Sequence, residues 1–319
     1  MNNAYRHRML DYLLPTLCSI IKTDYVLLDT CLITNVGDLL IWQAFEDIKT
    51  EIPHKCLHAF GIETYKAPKI DKNVTLVFMG GGNFGDLWER HQIFRHRVME
   101  DFPDNPIVQL PQSVWWESKE KMEEDVRSYA KHNADIHICL RDAASFDIIK
   151  KNYTNVHPYL LPDLALVFDV ETYCRKHCIE NRVGDGSLLI KRKDKEQVEL
   201  DGYEFPKNMI EHDWLPMEEE QPVQKAYKSI ILLLKKIPYT GKLRRYFMQV
   251  FFRKIIMPKY ITMSIMDMMQ YKYIYSTRLH GGVLAFLLGK ETVFIDNSYR
   301  KISGVYEEWM SDCENVRMI

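Results

Sequence analysis

The feature that most limits what this chain can fold into is the regular alternation of short apolar runs with helical segments. Tyr25-Val26-Leu27-Leu28-Asp29 is an apolar run of strand length, and Thr34 to Asp38 behind it is turn-like. Leu39 to Lys49 then places Leu40, Ile41, Ala44, Phe45 and Ile48 at helical spacing. Val74 to Met79 reads as a second strand, followed by Gly80-Gly81-Gly82-Asn83-Phe84-Gly85-Asp86 and a helix through Arg97. Ile107 to Leu110 is a third strand that ends at Pro111-Gln112-Ser113, and Lys119 to His132 is helical. Ile136 to Leu140 is another strand, ended by Arg141-Asp142; a helix over Ala143 to Lys151 and the run Tyr159-Leu160-Leu161-Pro162-Asp163 close the series. This order predicts a parallel, doubly wound sheet. In such sheets ligands bind beyond the carboxyl ends of the strands. Asp38, Asp86, Gln112, Ser113, Arg141 and Asp163 all follow predicted strands, and that shared placement points to an active cleft.

A second unit of the same kind begins at Ser187-Leu188-Leu189-Ile190, ahead of the charged run Lys191 to Glu196. Tyr273 to Thr277 is a strand, Arg278-Leu279-His280-Gly281-Gly282 follows, Val283 to Leu288 is helical, and Glu291 to Ile295 is a last strand. The fold class expected is therefore α/β, with two Rossmann-like domains whose parallel sheets face across a cleft. The domains are drawn at residues 1–180 and 181–319, with the final helix free to return to the first. A length of 319 residues with 46% hydrophobic and 27% charged residues suits two ordinary domains with real cores.

Bulk properties narrow the partners. A net charge of −2 gives no global reason to expect nucleic acid. Seven scattered cysteines form no disulfide framework, which fits a reducing cytoplasm. Cys174, His177 and Cys178 lack a second ligand pair, so no metal site is expected. No apolar run is long enough to span a bilayer. Asp11 and Pro15 interrupt the N-terminal apolar stretch, which reads as a surface helix rather than a signal peptide.

Two turns carry chemistry. Arg278-Leu279-His280-Gly281-Gly282 stands at a strand end and opens a helix. A helix N-terminus offers unpaired N–H groups and the positive end of the dipole. Arg278 adds a fork for phosphate or carboxylate, and His280 can donate to an anion or carry a proton. Gly80, Gly82 and Gly85 match a bare Gly-x-Gly-x-x-Gly spacing, but Asp86 repels an anion. That loop either serves a sugar hydroxyl or is glycine-rich because its turn demands it. Arg141 occupies the analogous strand end of the first unit, where it either meets the same ligand or pairs with Asp142 or Asp147.

Taken together, the motifs resemble the polysaccharide pyruvyl transferase family over most of the chain. They are Asn35 to Trp42, Gly80 to Trp88, Leu110-Pro111-Gln112-Ser113, Arg141 to Ser145, Leu161-Pro162-Asp163, Ser276 to Gly281 and Asp296-Asn297-Ser298-Tyr299-Arg300-Lys301. The stretch from about 200 to 270 is the least typical. The resemblance implies a GT-B-like pair of Rossmann-like domains. It also implies phosphoenolpyruvate as donor, used as a substrate with no cofactor. The acceptor implied is a sugar of a cell-surface polysaccharide precursor, free or lipid-linked, and the product a pyruvate ketal. By that resemblance Arg278, Leu279, His280, Arg141 and Asp38 serve the donor site, with Asp86 less securely matched; the chemistry of the transfer then makes Asp38 or Asp86 the candidate base and His280 the candidate acid. Asn35, Asn83, Gln112, Ser113 and Asp163 are expected to line the cleft or meet the acceptor. The rival functions are a nucleotide-sugar glycosyltransferase of the same fold and a non-catalytic assembly partner in polysaccharide biosynthesis.

Between Glu220 and Asp267 there is no acidic residue, while ten basic ones alternate with aliphatic and aromatic runs. Residues 221–266 read either as an interfacial segment for an anionic membrane surface or as a helix face packed on the second domain. The first reading makes the protein cytoplasmic and peripheral on the inner face of the membrane.

Overall fold

Strand β1 (Tyr25–Leu28) is buried along its whole length, as are β3 (Thr75–Phe78) and β6 (Ile136–Leu140). A strand covered on both faces reads as a continuous apolar run, because it has no wet side to alternate with. In the computed structural model, residues 3–319 are described except 181, 183, 195, 219 and 297–300. The expected motif over Asp296 to Lys301 therefore falls largely outside the described residues, as does Lys195 of the charged run.

The remaining strands of the first sheet are β2 (Cys56–Phe60), β4 (Gly81–Gly85), β5 (Ile107–Trp115) and β7 (Val156–Leu160). Its order is β2-β1-β3-β5-β6-β7, with β4 also on β5, and every pairing is parallel. The second sheet holds β8 (Ser187–Ile190), β9 (Ile210–His212), β10 (Tyr273–Ser276), β11 (Glu291–Phe294) and β12 (Val316–Met318). It runs β12-β11-β10-β8-β9 and is parallel throughout. Leu76, Phe78, Phe94, Val98, Ile136 and Leu140 belong to the core of the first sheet; Leu189, Tyr275, Val293 and Ile295 form a core on the second.

By internal packing the chain divides into two units. One comprises His7–Cys31 and Phe45–Leu164 and carries the seven-stranded sheet; the other comprises the residues up to Arg6, Leu32–Ala44 and Ala165–Ile319 and carries the five-stranded sheet. The junction between the two units lies at 164/165, within the buried turn Leu164–Val167; Val170–Lys176, buried on one side only, belongs to the second unit. The last helix, Lys301–Trp309, stays with the second unit, where Tyr5 Oη donates to the Trp309 carbonyl at 3.0 Å. The N-terminal helix Asn3–Ile20 is a surface helix with one buried stripe. Tyr5, Met9, Leu13 and Leu17 repeat every four residues and are all buried.

Two expectations about strand ends change. Gln112 and Ser113 lie inside the nine-residue β5, not beyond it. Asp38 sits in the first turn of the helix Val36–Ile48, and Asp86 follows β4, a strand made mostly of glycine.

Candidate active site

The second unit builds its site at the end of β10. Ser276 is fully buried; its hydroxyl accepts from the Arg278 N–H at 3.1 Å and donates to the Arg278 carbonyl at 2.7 Å. This pins Arg278 in an extended conformation as the cap of the helix Leu279–Leu287. Gly281 and Gly282 are not there to clear an entrance. A Cβ on Gly281 would lie 2.5 Å from Ser276 Oγ, and one on Gly282 would collide with the Phe294 ring. The two glycines let the helix settle on β10 and β11.

Arg278 is 5% exposed and turns its fork on Asp213: Nε and Nη2 both donate to that carboxylate, Nη2 at 2.6 Å. Asp194 lies 3.4 Å from Nη2 and also accepts from Arg192 Nε at 2.7 Å. Arg192 continues to Glu196, which Lys301 also approaches. Three cations therefore face three carboxylates in one chain of contacts. Burial opposes the charge on Arg278, but Asp213 and Asp194 outweigh it and hold the guanidinium charged. Burial also pushes the Asp194 carboxyl up, and Arg192 and Arg278 bring it below the usual carboxylate range.

A second helix start meets this turn. In the helix Val36–Ile48, Asn35 Oδ1 accepts from the Gly37 N–H at 3.2 Å and Asn35 Nδ2 donates to Asp38 Oδ2 at 2.9 Å. Gly37 abuts the His280 imidazole so closely that a Cβ there would lie 2.5 Å from His280 Nδ1. Two helix N-termini thus converge, with Asp38 and His280 on their first turns. Because the Arg278 charge is balanced by its own carboxylates, the positive character offered to an anion comes largely from these helix starts.

His212, at the end of β9, fixes the same network from behind. Its Nδ1 donates to the Asp213 carbonyl at 2.6 Å, and Nε2 lies 3.5 Å from Asp267. Burial alone would lower its pKa, but Asp267, the Asp213 carbonyl and Glu218 outweigh it and raise it above the ordinary 6.5. A base with a raised folded pKa adds stability that is full below its unfolded pKa and is lost as pH rises through the folded one. The stability gap between wild type and His212→Asn should therefore be larger near about pH 6 than near about pH 9. Urea unfolding at the two values measures it. Taking the difference removes His132 and His137, whose pKa values burial pushes down and which act in the opposite sense. A gap independent of pH would refute the coupling.

In the first unit the expected residues fall into three groups. Asn83 and Gln112 are joined: Gln112 Nε2 donates to Asn83 Oδ1 at 2.8 Å, and the Asn83 N–H donates to Gln112 Oε1 at 3.3 Å. Ser113, Arg141 and Asp163 form a second group. Arg141 Nε donates to Ser113 Oγ at 2.8 Å and Nη1 donates to the fully buried Asp163, while Ser113 donates to Asp142 at 2.6 Å. Asp142 also caps the helix Ala143–Asn152 through the Ser145 N–H. Asp86 stands apart. Both its oxygens accept backbone N–H groups, from Glu117 at 2.9 Å and Ser118 at 2.8 Å.

A polar cluster that none of the sequence motifs marks surrounds Asn83. Arg95 is 1% exposed and donates to Asn83 Oδ1 at 2.6 Å, Gln109 Oε1 at 2.9 Å and Gln92 Oε1 at 3.1 Å. Asp29 ends β1 in a left-handed conformation (φ 59°), and both its oxygens lie 2.9 Å from His91 Nδ1. Asp tolerates that backbone better than most residues. His91 Nδ1 also lies 3.1 Å from Asn83 Nδ2, so the buried carboxylate and the amide together orient the ring. Asp29 ends a run already read as a strand, so the strand-end rule applied to Asp38 would have found it. Asp213 gave no such signal, since it follows a strand of only three residues.

Both units are parallel α/β sheets of the Rossmann-like kind, and one of them presents an Arg-Leu-His turn at a helix start. Residues 35–299 match the polysaccharide pyruvyl transferase family, and the chain belongs to it; it is a transferase. EpsO of Bacillus subtilis (strain 168), a protein named as a pyruvyl transferase, is 28% identical over 311 residues, covering 96% of this chain and 90% of its own. Pyruvyl transferase 1 of Schizosaccharomyces pombe is 37% identical over 91 residues, 28% of this chain and 22% of that protein. A crystal structure of a functionally uncharacterized protein from Klebsiella pneumoniae subsp. pneumoniae NTUH-K2044 is similar in fold. Its TM-score is 0.61 at 18% identity, over 96% of each chain.

Proposed function

We propose that this transferase moves the enolpyruvyl group of phosphoenolpyruvate onto a sugar of a cell-surface polysaccharide precursor and closes it into a pyruvate ketal. The observation that carries the reading is the convergence of two helix starts at Gly37 and His280, with Asp38 and Arg278 beside them, in a member of this family. The donor brings a phosphate and a carboxylate, and helix N-termini are suited to both.

In this scheme His280 protonates the methylene carbon of the donor, leaving cationic character at the adjacent carbon. A sugar hydroxyl attacks that carbon while Asp38 takes its proton. The carbon–oxygen bond to phosphate then breaks, and a second hydroxyl attacks the same carbon to close the ring. One hydroxyl proton replaces the one given to the methylene, and the other leaves with inorganic phosphate. Arg278, with Nε and Nη2 held by Asp213, turns its remaining nitrogen to the donor. Asp86 is the weaker choice of base, since two backbone N–H groups already occupy its oxygens. Leu279 contributes through its backbone N–H, and Arg141 acts by holding Ser113 and Asp163 in place. Asn35 remains an acceptor-side residue of the scheme, beside Asp38. The scheme asks for no cofactor and fits a GT-B-like enzyme in the cytoplasm.

The test is release of inorganic phosphate from phosphoenolpyruvate, coupled to a mass gain on a glycan from a lipid extract. Asp38→Asn and His280→Ala should each lower the rate by about 10²- to 10⁴-fold, the usual worth of a proton-transfer group. Near-normal turnover by both variants on a confirmed acceptor would sink the scheme. A nucleotide sugar that raises the melting temperature where phosphoenolpyruvate does not would point to glycosyl transfer instead.

A further inference from the structure

The long basic stretch folds into a helical hairpin whose tip is apolar and exposed. The helix Pro222–Lys236 turns through Ile237-Pro238-Tyr239-Thr240 into the helix Gly241–Phe251. Its base is packed: Tyr227 is buried and stacks on Phe247 and Phe251 at centroid distances of 6.2 and 5.7 Å. Thr240 Oγ donates to the Leu234 and Ile237 carbonyls and closes the turn. The tip is different. Leu232, Leu233, Leu243 and Tyr246 are 58–67% exposed, Ile237 is 46% exposed, and Tyr239 stands wholly in solvent.

Six large apolar side chains exposed over the turn and the adjoining helix segments of one hairpin mark an interaction surface. The surrounding charge identifies the partner. Lys235, Lys236, Lys242, Arg244 and Arg245 flank the tip, and among the described residues none of them is in an ion pair. The whole segment from 221 to 266 contains no carboxylate. Such a surface repels a second copy of itself and complements phosphate-bearing lipid. Leucine, isoleucine and tyrosine beside lysine and arginine are the residues that enter the headgroup layer of a membrane from one side. No described helix is long and apolar enough to cross a membrane, so the contact would be peripheral.

We propose that this hairpin is a membrane-docking element, seating Leu233, Ile237, Tyr239, Leu243 and Tyr246 in an anionic lipid surface under a collar of basic residues. The proposal is independent of the reaction scheme.

Co-sedimentation of the full chain with vesicles tests it. The protein should partition onto phosphatidylcholine vesicles containing phosphatidylglycerol, far less onto phosphatidylcholine alone, and high salt should release it. Each basic residue at such a surface is worth roughly a fivefold factor in partitioning, so Lys235→Gln, Lys236→Gln and Lys242→Gln together should weaken it about 100-fold. Leu233→Ser with Ile237→Ser and Leu243→Ser should abolish it. These side chains are exposed, and unchanged melting curves check that the variants fold. As a measurement on the intact hairpin, the emission of a Tyr239→Trp variant should shift to the blue with anionic vesicles only. No binding to anionic vesicles at low salt overturns the proposal. So does binding that the tip substitutions leave unchanged, or a dimer in solution that those substitutions dissolve.

Discussion

Replacing Arg278 by alanine should both unfold the protein at lower temperature and stop turnover, and the two effects can be separated. Arg278 and Asp213 are each about 5% exposed, and the guanidinium holds that carboxylate with two hydrogen bonds. Removing one partner of a buried pair leaves an uncompensated charge and costs about 3–5 kcal/mol. Asp213 keeps the Trp214 N–H at 2.8 Å and the Lys193 N–H at 3.3 Å, so the lower end of that range is the better expectation. For domains of this size that is a fall in melting temperature of roughly 6–12 °C. Removing both partners with an Arg278→Ala, Asp213→Ala double variant should restore much of that loss. It should not restore turnover, which is expected to stay down by about 10²- to 10³-fold, the worth of one well-placed donor. Arg278→Lys keeps the charge but cannot hold Asp213 by a fork, so it should resemble the alanine variant in rate more than in stability. Calorimetry and phosphate release on the same four proteins decide the matter. If turnover returns together with stability, Arg278 serves only the fold.

How much of this was open to a reader of the sequence depends on the kind of strand involved. Tyr25–Leu28, Ile136–Leu140, Ser187–Ile190 and Tyr273–Ser276 are continuous apolar runs, and each was placed to within a residue. Parallel strands buried on both faces announce themselves in this way. Ile210–His212 and Val316–Met318 are too short to carry any period. Cys56–Phe60 is a sheet edge with mostly exposed side chains and no alternation. The strand Gly81–Gly85 runs against propensity altogether. It forms because glycine lets that segment approach β5: a Cβ on Gly80 would strike the Pro111 carbonyl, and one on Gly85 the Trp115 carbonyl. Glycine-rich sequence looked like a loop, and a tertiary contact made it a strand.

The site followed the same rule. Asp38, Arg278 and His280 were legible because they stand beside helix starts with strong local signals. Asp213 was not, although it decides which way the Arg278 fork points. The charge balance around Arg278 joins residues 192 to 301, and no local pattern announces a network of that span.

Gly37→Ala is the other substitution with a large expected effect, and it acts on function far more than on stability. Alanine is the better helix former by about 1 kcal/mol, so propensity alone predicts a small gain. The gain meets an obstruction, since the new methyl carbon would lie 2.5 Å from His280 Nδ1 and 3.0 Å from Cγ of the same ring. Real carbon atoms do not approach so closely, so the imidazole or the helix start must move. The ring is the softer element, being a side chain on the first turn of Leu279–Leu287, whereas Val36 and Leu39 are fully buried and anchor the helix Val36–Ile48. A shift of about 1 Å in a catalytic group can cost about 10²-fold in rate. Gly37→Ala should therefore lower turnover by about that factor with the melting temperature nearly unchanged. The check is a double-variant cycle with His280→Ala. Without the imidazole the methyl group has nothing to strike, so Gly37→Ala should add no further loss in that background. Additive losses would mean that Gly37 is needed for a reason other than making room for His280.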